Sequence, residues 1–386
     1  MAATAKWQRW VPAVAVPAVV AVVVTGGAFA AGASADLPEK TAQQVLELAA
    51  QADVQTFSGT VEQTADLGLP DLSSVPGGSS SGASGGSSDG SGSGDASTDS
   101  TVSAALELLT GSHSARVYAD GPTKARVQVL DQLAERDAIR NGSELWLYDS
   151  SDNTVVHSSI PADAGSGDGD GAGAPEASGT VQTPAELAQG FLDAVDPSTD
   201  VSLGADTEVA GRSAYDLVLT PRGSETLVGS VSIAVDSETG LPLSVEVLAR
   251  GASTPAFSVA FSSLSLDTPS ADLFDFTPPE GAAVTEKALP TDAGDGSGDH
   301  AAAPQGADAH PEPVVTGEGW NTIVALPVGA DSADLTSSPL IAQLLTPVDG
   351  GQVLQTALVS VLLTDDGRVL AGAVPAEALQ SAAAGQ

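Results

Sequence analysis

The chain of 386 residues contains no cysteine. It can therefore form no disulfide bond, no zinc site held by thiolates and no thiol nucleophile, and its N-terminus cannot be anchored through an acylated cysteine. Aromatic residues make up only 4% of the sequence, so a sugar-binding cleft built on aromatic platforms is not indicated. Glycine (42 residues) and proline (24 residues) are abundant, which indicates aliphatic β-structure interrupted by loops.

Basic residues are also few. Lysine and arginine total 13 against 50 aspartates and glutamates, which gives a formal net charge of -37 at pH 7. A surface of this charge repels the phosphates of DNA, RNA and anionic lipid headgroups. The charge therefore argues against nucleic-acid binding. The length of the chain leaves room for one large domain or two ordinary ones.

Residues 1–35 have the composition of an export signal. Lys6 and Arg9 precede an almost unbroken apolar run at residues 11–24, and small residues follow in the spacing of a cleavage site. Cleavage there would leave Asp36 as the first residue. The alternative is an uncleaved N-terminal helix that holds the protein at the cell membrane, since the apolar segment is long enough to cross a bilayer. In both cases we expect the rest of the chain to be extracytoplasmic.

Three stretches rich in glycine, serine and aspartate interrupt the chain, at residues 73–100, 162–180 and 286–313. In the first of them 20 of 28 residues are glycine or serine, a composition typical of a flexible linker. We therefore predict one domain over residues 36–285 with two flexible inserts, then a linker, then a C-terminal extension or small α+β domain over residues 314–386.

Between these stretches, apolar and polar residues alternate with the period of β-strands. Turn motifs separate the strands, which predicts two antiparallel meanders, one before and one after the second insert. A change of phase at Ser262 and Ser263 predicts a β-bulge, as in a curling sheet. Helices are predicted at residues 39–52, at residues 102–109, and after a capping box that begins at Thr183.

The catalytic motifs lack the structural context that their chemistry requires. The nucleophile pattern G-x-S-x-G occurs three times, centred on Ser80, Ser84 and Ser88, but all three lie in the first flexible insert. No two histidines have the spacing of a helical metal site, and the Asp-Gly clusters do not match a calcium loop. His113 and His157 are expected at strand ends, in solvent or as caps. We therefore predict a protein that is not an enzyme and has no metal or cofactor.

The strand at residues 144–148 has large apolar side chains on both faces. It is either buried between two layers, or one of its faces lines an apolar cavity. If there is a cavity, the in-phase positions of the predicted strands line it. These positions are Val127, Val129, Leu145, Leu147, Tyr215, Leu217, Leu219, Val231, Ile233, Leu243, Val245 and Phe261.

Several short motifs, in the order in which they occur, resemble the LolA-like superfamily over about residues 37–281, with the inserts excepted. The chain looks most like the actinobacterial branch, described as outer-membrane lipoprotein carrier proteins (LolA) or RseB-like proteins. The motifs are Thr56-Phe57-Ser58-Gly59-Thr60-Val61, Ile139-Arg140-Asn141-Gly142, Leu145-Trp146-Leu147-Tyr148, Ala210-Gly211-Arg212-Ser213-Ala214-Tyr215-Asp216-Leu217, Asp236-Ser237-Glu238-Thr239-Gly240-Leu241-Pro242-Leu243 and Phe274-Asp275-Phe276-Thr277-Pro278-Pro279.

The resemblance implies an α+β fold, an incomplete antiparallel β-barrel or curled sheet closed by amphipathic helices, which holds acyl chains on its concave apolar face. It implies that the protein binds lipid acyl chains or a lipoprotein outside the cytoplasm, as a carrier or chaperone. The RseB-like alternative implies an envelope-stress regulator that binds a single-pass membrane protein, an anti-sigma factor. In that case the tail from Gly319 would correspond to the additional C-terminal domain of RseB-like proteins.

Overall fold

The computed structural model describes residues 37–69, 111–130, 135–160, 183–193, 198–287, 313–326 and 343–385. The N-terminal segment, almost all of the three Gly-rich stretches and the helix predicted at residues 102–109 lie outside the described residues. Within the described ranges, no helix is both long and apolar enough to cross a membrane.

Thirteen strands form one large curled sheet. They are β1 (Thr56–Ala65), β2 (Gly111–Asp120), β3 (Lys124–Leu130), β4 (Glu135–Asn141), β5 (Glu144–Asp149), β6 (Thr154–Ser159), β7 (Thr199–Leu203), β8 (Thr207–Val209), β9 (Arg212–Pro221), β10 (Val228–Asp236), β11 (Pro242–Ala249), β12 (Pro255–Ser265) and β13 (Ala283–Glu286). Their order is β13-β6-β5-β4-β3-β2-β1-β12-β11-β10-β9-β7, with β8 paired to β9. No pairing in the described part of the chain joins β13 to β7, so these strands form an open sheet and not a closed barrel.

The predicted meanders are confirmed as β2 to β6 and as β8 to β12. The predicted bulge is also confirmed, because Thr60 pairs with Ser263 while Val61 pairs with Phe261, which leaves Ser262 without a partner on β1. Two strands of the large sheet were not predicted. The short β7 has too few residues to show a clear alternation, and all four residues of β13 are exposed, so its sequence carries no burial signal.

Two helices lie against the large sheet. Helix α1 (Ala42–Ala50) begins after a capping box between Thr41 and Gln44. Helix α2 (Pro184–Asp193) begins after the predicted capping box: Glu186 N donates to Thr183 Oγ1 at 3.2 Å, and Thr183 N donates to Glu186 Oε2 at 2.8 Å. Both helices bury apolar side chains in the core of the sheet, α2 over β11 and β12 and α1 over β9.

The C-terminal residues form a second, six-stranded antiparallel sheet covered by one helix. Its elements are β14 (Val314–Thr316), β15 (Ile323–Leu326), β16 (Thr346–Val348), β17 (Gly351–Gln355), β18 (Ser360–Thr364), β19 (Val369–Gly372) and α3 (Ala376–Ala384), with the strand order β14-β15-β19-β18-β17-β16. Leu362, Leu370 and Leu379 form the centre of its own core. The turn between β14 and β15 contacts the large sheet, since its Trp320 Nε1 donates to Thr199 Oγ1 at 2.8 Å. The domain boundaries proposed from the sequence stay predictions.

Candidate ligand-binding face

The large sheet has an inner face, against which α1 and α2 pack, and an opposite, outer face. Residues paired across neighbouring strands point to the same face. Leu217 is opposite Ile233, and Ile233 is in turn opposite Val245. By this register all twelve predicted lining residues lie on the inner face: Val127, Val129, Leu145, Leu147, Tyr215, Leu217, Leu219, Val231, Ile233, Leu243, Val245 and Phe261.

Eight of the twelve lie on what we call the helix half, the inner face of β1 and β9 to β12. Each of these eight side chains is buried, from Leu217 at 0% exposed to Tyr215 at 3%. Val45 and Ala49 of α1 and Ala188 of α2 belong to the same apolar cluster. The helix half is therefore packed protein core. The eight are Tyr215, Leu217, Leu219, Val231, Ile233, Leu243, Val245 and Phe261.

The other four lie on what we call the hairpin half, the inner face of β3 to β6. Val129 and Leu145 are buried, whereas Val127 and Leu147 are only half-buried. Val127 and Val129 contact the core cluster of the helix half, but Leu145 and Leu147 do not belong to it. The structure therefore joins ten of the twelve positions into one cluster and leaves Leu145 and Leu147 outside it.

The outer face of the hairpin half explains why residues 144–148 are apolar on both sides. Trp146 and Tyr148 point outward, where both rings lie against Phe276, at centroid distances of 5.6 Å and 5.9 Å. The short helix Ala271–Phe274 precedes that contact and buries Phe274. The outward side chains thus belong to a second layer, while Leu145 and Leu147 on the inner face remain candidates for ligand contact.

Two polar residues of the inner face were missed as site candidates. Gln63 on β1 and His113 on β2 are directly opposite each other in the strand register, and each is only 3% exposed. The prediction that His113 is at a solvated strand end was wrong, because β2 begins at Gly111 and places His113 inside the sheet. Gln63 has the same phase as Val61, so its inward position could have been found from the alternation alone.

The prediction that His157 is a solvated or capping histidine was also wrong, because its ring contacts two carboxylates and a tryptophan. On the outer face its Nδ1 lies 2.8 Å from Glu286 Oε2, its Nε2 contacts the Glu144 carboxylate, and its ring stacks on Trp146 at 3.8 Å between centroids. The hydrogen bond to Glu286, followed by that to Glu144, raises the pKa of His157 above its ordinary value of 6.5. The sequence could not show this cluster because Glu286 lies on β13, the unpredicted parallel strand.

Two carboxylates of the outer face, Asp216 and Asp137, also have raised pKa values. Burial, aided by the nearby charge of Glu246, raises the pKa of Asp216 to about 6. Burial raises the pKa of Asp137 as well, although Arg126 Nη2 donates to its carboxylate at 2.6 Å. No three His, Asp or Glu side chains are placed to hold a metal ion in the part of the chain that the structure describes.

No protein-family model matches the chain, and a comparison with curated protein sequences also finds no match. Among solved structures, the MucA/MucB complex of Pseudomonas aeruginosa is similar at 17% identity and a TM-score of 0.40, covering 88% of this chain and 96% of that chain. The LolA superfamily protein NE2245 from Nitrosomonas europaea is similar at 14% identity and a TM-score of 0.23, covering 62% and 99%.

A putative outer membrane lipoprotein-sorting protein domain from Vibrio parahaemolyticus is similar at 11% identity and a TM-score of 0.22, covering 61% of this chain and 97% of that chain. The structural neighbours thus include MucB and LolA-superfamily proteins, the groups that the sequence motifs resemble.

Proposed function

We propose that this protein binds the acyl chains of a lipid or lipoprotein on the inner face of its large sheet, outside the cytoplasm, as a carrier or chaperone and not as an enzyme. One observation carries the proposal: the apolar side chains of the inner face are buried in a core shared with both helices on the helix half, whereas Val127 and Leu147 on the hairpin half are only half-buried. The export signal predicted at residues 1–35 supports the extracytoplasmic location.

The hairpin half supplies the surface for the ligand. Val127 is opposite Ala138, Ala138 is opposite Leu147, and Leu147 is opposite Val156, so one apolar row crosses β3 to β6. All four side chains are half-buried. On the other side the row continues through Val117 on β2 to β1.

This row is long enough for an acyl chain. It crosses six strands, and at about 4.8 Å between strands it spans about 24 Å. The acyl chains of one membrane leaflet reach across about 15 Å, half of the hydrocarbon thickness. Burial contributes about 0.8 kcal/mol per methylene, so ten buried methylenes contribute about 8 kcal/mol, which corresponds to micromolar affinity before the costs of association.

The helix half could accept a ligand only if α1 or α2 moved. Its side chains are 0–3% exposed and are already in contact with both helices. We therefore place the first contact of the acyl chain on the hairpin half and not on the residues with the lowest exposure.

Native mass spectrometry of the chain purified from its own cell envelope, followed by lipid extraction, tests the proposal. We expect a stoichiometric adduct of several hundred daltons or more, and we expect Leu147→Asp to abolish it. Leu326→Asp makes the same change at a side chain of the small sheet that is 49% exposed, and it should leave the adduct intact. An apo mass that persists after incubation with envelope lipids would overturn the proposal.

The second candidate is an envelope-stress regulator that binds a single-pass membrane protein such as an anti-sigma factor. One feature of this chain favours it: β14 is the edge strand of the small sheet, and its Val314 and Val315 are 49% and 47% exposed. An open apolar edge can pair with an extended segment of another protein. MucB, one of the structurally similar proteins, was solved in complex with MucA.

Crosslinking of the full-length chain in its own cells tests this candidate. We expect one membrane protein to be crosslinked to wild type and to be lost with Val315→Lys, because a lysine on an edge strand opposes further pairing. Val284→Lys, at the exposed edge of the large sheet, is the matched control. Failure to crosslink any membrane protein would reject this candidate without affecting the lipid-binding proposal.

A further inference from the structure

A polar pair interrupts the apolar inner face of the large sheet. Across neighbouring strands, Ile233 is opposite Val245, Val245 is opposite Val259, and Val259 is opposite Gln63, which in turn faces His113. The three apolar side chains are 0–1% exposed. An amide and an imidazole thus continue a row that is otherwise apolar and buried.

Gln63 has an unused donor. Its side chain is 3% exposed, and its Nε2 has no hydrogen-bond partner in the part of the chain that the structure describes. Folded proteins pair nearly all buried polar groups, because an amide without a partner loses the hydrogen bonds that water would make. An unpaired amide on a face suited to a ligand therefore points to an acceptor that arrives with the ligand.

The position of Gln63 fits this role. Strand β1 is the outermost strand of the helix half, and only β2 separates it from β3 of the hairpin half. Val61, two residues before Gln63, is opposite Ala115, which is itself opposite Val129 of the hairpin half. These three apolar side chains are 1–3% exposed, so an acyl chain bound on the hairpin half reaches Gln63 by displacing them from the core.

The surroundings of Gln63 select a neutral acceptor. A phosphate or carboxylate buried next to Val259 would lose its hydration, and Gln63 offers no charge to compensate for that loss. An ester carbonyl carries no charge and is attached directly to the acyl chain, so it can be buried with one hydrogen bond. We infer that Gln63 recognises the ester carbonyl of an acylated ligand by donating a hydrogen bond from Nε2. This inference rests on the proposed acyl-chain binding.

Paired ester and ether ligands test the inference on the delipidated full-length chain. The probes are dipalmitoylglycerol and dihexadecylglycerol, which differ in the carbonyl groups. One hydrogen bond corresponds to roughly a fivefold to tenfold preference, so wild type should bind the ester tighter by about that factor. Gln63→Met, of similar size but without the amide, should reduce the ratio to about one, mainly by weakening the ester.

Gln128→Met is the matched control, because Gln128 lies on the outer face of β3 and should leave the preference unchanged. A synthetic peptide with a diacylglyceryl-cysteine distinguishes the sources of the ester: tighter binding of the peptide indicates a lipoprotein, and tighter binding of diacylglycerol indicates a free lipid. Either result supports recognition of the carbonyl if it depends on Gln63.

A measurement on wild type covers the case in which Gln63→Met does not fold. The side-chain amide resonance of Gln63 in a ¹⁵N-labelled protein should shift on addition of the ester and not on addition of the ether. Tight and equal binding of ester and ether by wild type would overturn the inference while acyl binding stands. If neither probe binds, the proposed function itself fails.

Discussion

The helix half and the hairpin half share one sheet and one pattern of alternation, yet they differ in what covers them. Ile233, on the helix half, is 0% exposed and lies in a cluster completed by α1 and α2. Leu147, on the hairpin half, is half-buried and lies outside that cluster. The period of a strand therefore selects a face, but the elements packed on that face decide whether a position is core or an accessible apolar surface.

The largest expected effect separates the two halves directly. Ile233→Asp buries a carboxylate between Leu217 and Val245, and we expect it to cost about 4 kcal/mol or more, a large share of the stability of a typical domain. Leu147→Asp should cost only about 1 to 2 kcal/mol, because a half-buried carboxylate can reach water. Urea unfolding followed by circular dichroism measures both.

Equal losses in the two variants would mean that the halves are alike and that the hairpin half is core as well. The reverse order would place the accessible surface on the helix half. Either result would remove the basis for siting the ligand on the hairpin half.

A smaller effect tests how α1 is held on the helix half. Gly240 has φ +78°, and a Cβ built on it would lie 2.2 Å from the carbonyl oxygen of Leu48 in α1. We expect Gly240→Ala to cost about 2 to 4 kcal/mol, from backbone strain together with displacement of the helix. Unfolding measures the cost, and increased binding of an apolar dye should report the exposed helix half.

Gly142 provides the matched control for this change. It has φ +65° in the turn between β4 and β5, and no atom lies within 4 Å of the position that a Cβ would take there. Gly142→Ala should therefore cost only the backbone strain, about 1 kcal/mol. If both variants lose the same stability, the contact between Gly240 and α1 contributes nothing.

Much of the sheet could be predicted because its signals are local. The alternation of Leu217 and Leu219 is visible in the sequence, and so is the change of phase at Ser262 that marks the bulge. The pairing of β13 with β6 could not be predicted, since its residues are exposed and its partner is far away in the sequence. His157 and Glu286 are brought together only by that pairing.

The candidate site shows the same limit. The alternation put all twelve predicted lining residues on one face, but it could not tell Leu147 from Ile233, because coverage by α1 and α2 depends on tertiary packing. Gln63 was missed because only apolar residues were considered for inward positions, although Gln63 has the same phase as Val61. Polar residues at inward positions are therefore the ones to examine first in a sheet of this kind.

Replacing Gln63 should have a smaller effect on stability, and it should stabilise the protein, whereas most core mutations destabilise it. Gln63→Met removes a buried donor without a partner, and we expect the ligand-free protein to become more stable by about 1 kcal/mol. Gln128→Met should instead lose about 0.5 to 1 kcal/mol, because Gln128 Nε2 donates to Glu135 Oε1. Urea unfolding of the delipidated proteins measures both, and a loss in Gln63→Met would show that its amide is satisfied.

The smallest expected effect concerns the edges of the two halves. At the end of the sheet next to the hairpin half, His157 links β6 to β13 through Glu286, and Glu144 and Trp146 also contact its ring. At the opposite end, β7 is held by a hydrogen bond between Thr199 and Trp320, and neither of these side chains titrates. Because its folded pKa is raised, protonated His157 contributes its full stabilisation below pH 6.5 and loses it as the pH rises through the folded value. Glu286 is 74% exposed, so we expect less than about 1 kcal/mol.

Amide hydrogen exchange, corrected for its intrinsic pH dependence, tests this difference between the edges. Protection of β13 should fall as the pH rises through the folded pKa of His157, while protection of β7 should stay constant, since no proton is lost there. Glu286→Gln removes the first cause of the raised pKa, so it should lower the pKa of His157 in an NMR titration and reduce the pH dependence of β13. An equal pH response at both edges would show that β13 is held by its backbone pairing with β6 and not by the imidazolium.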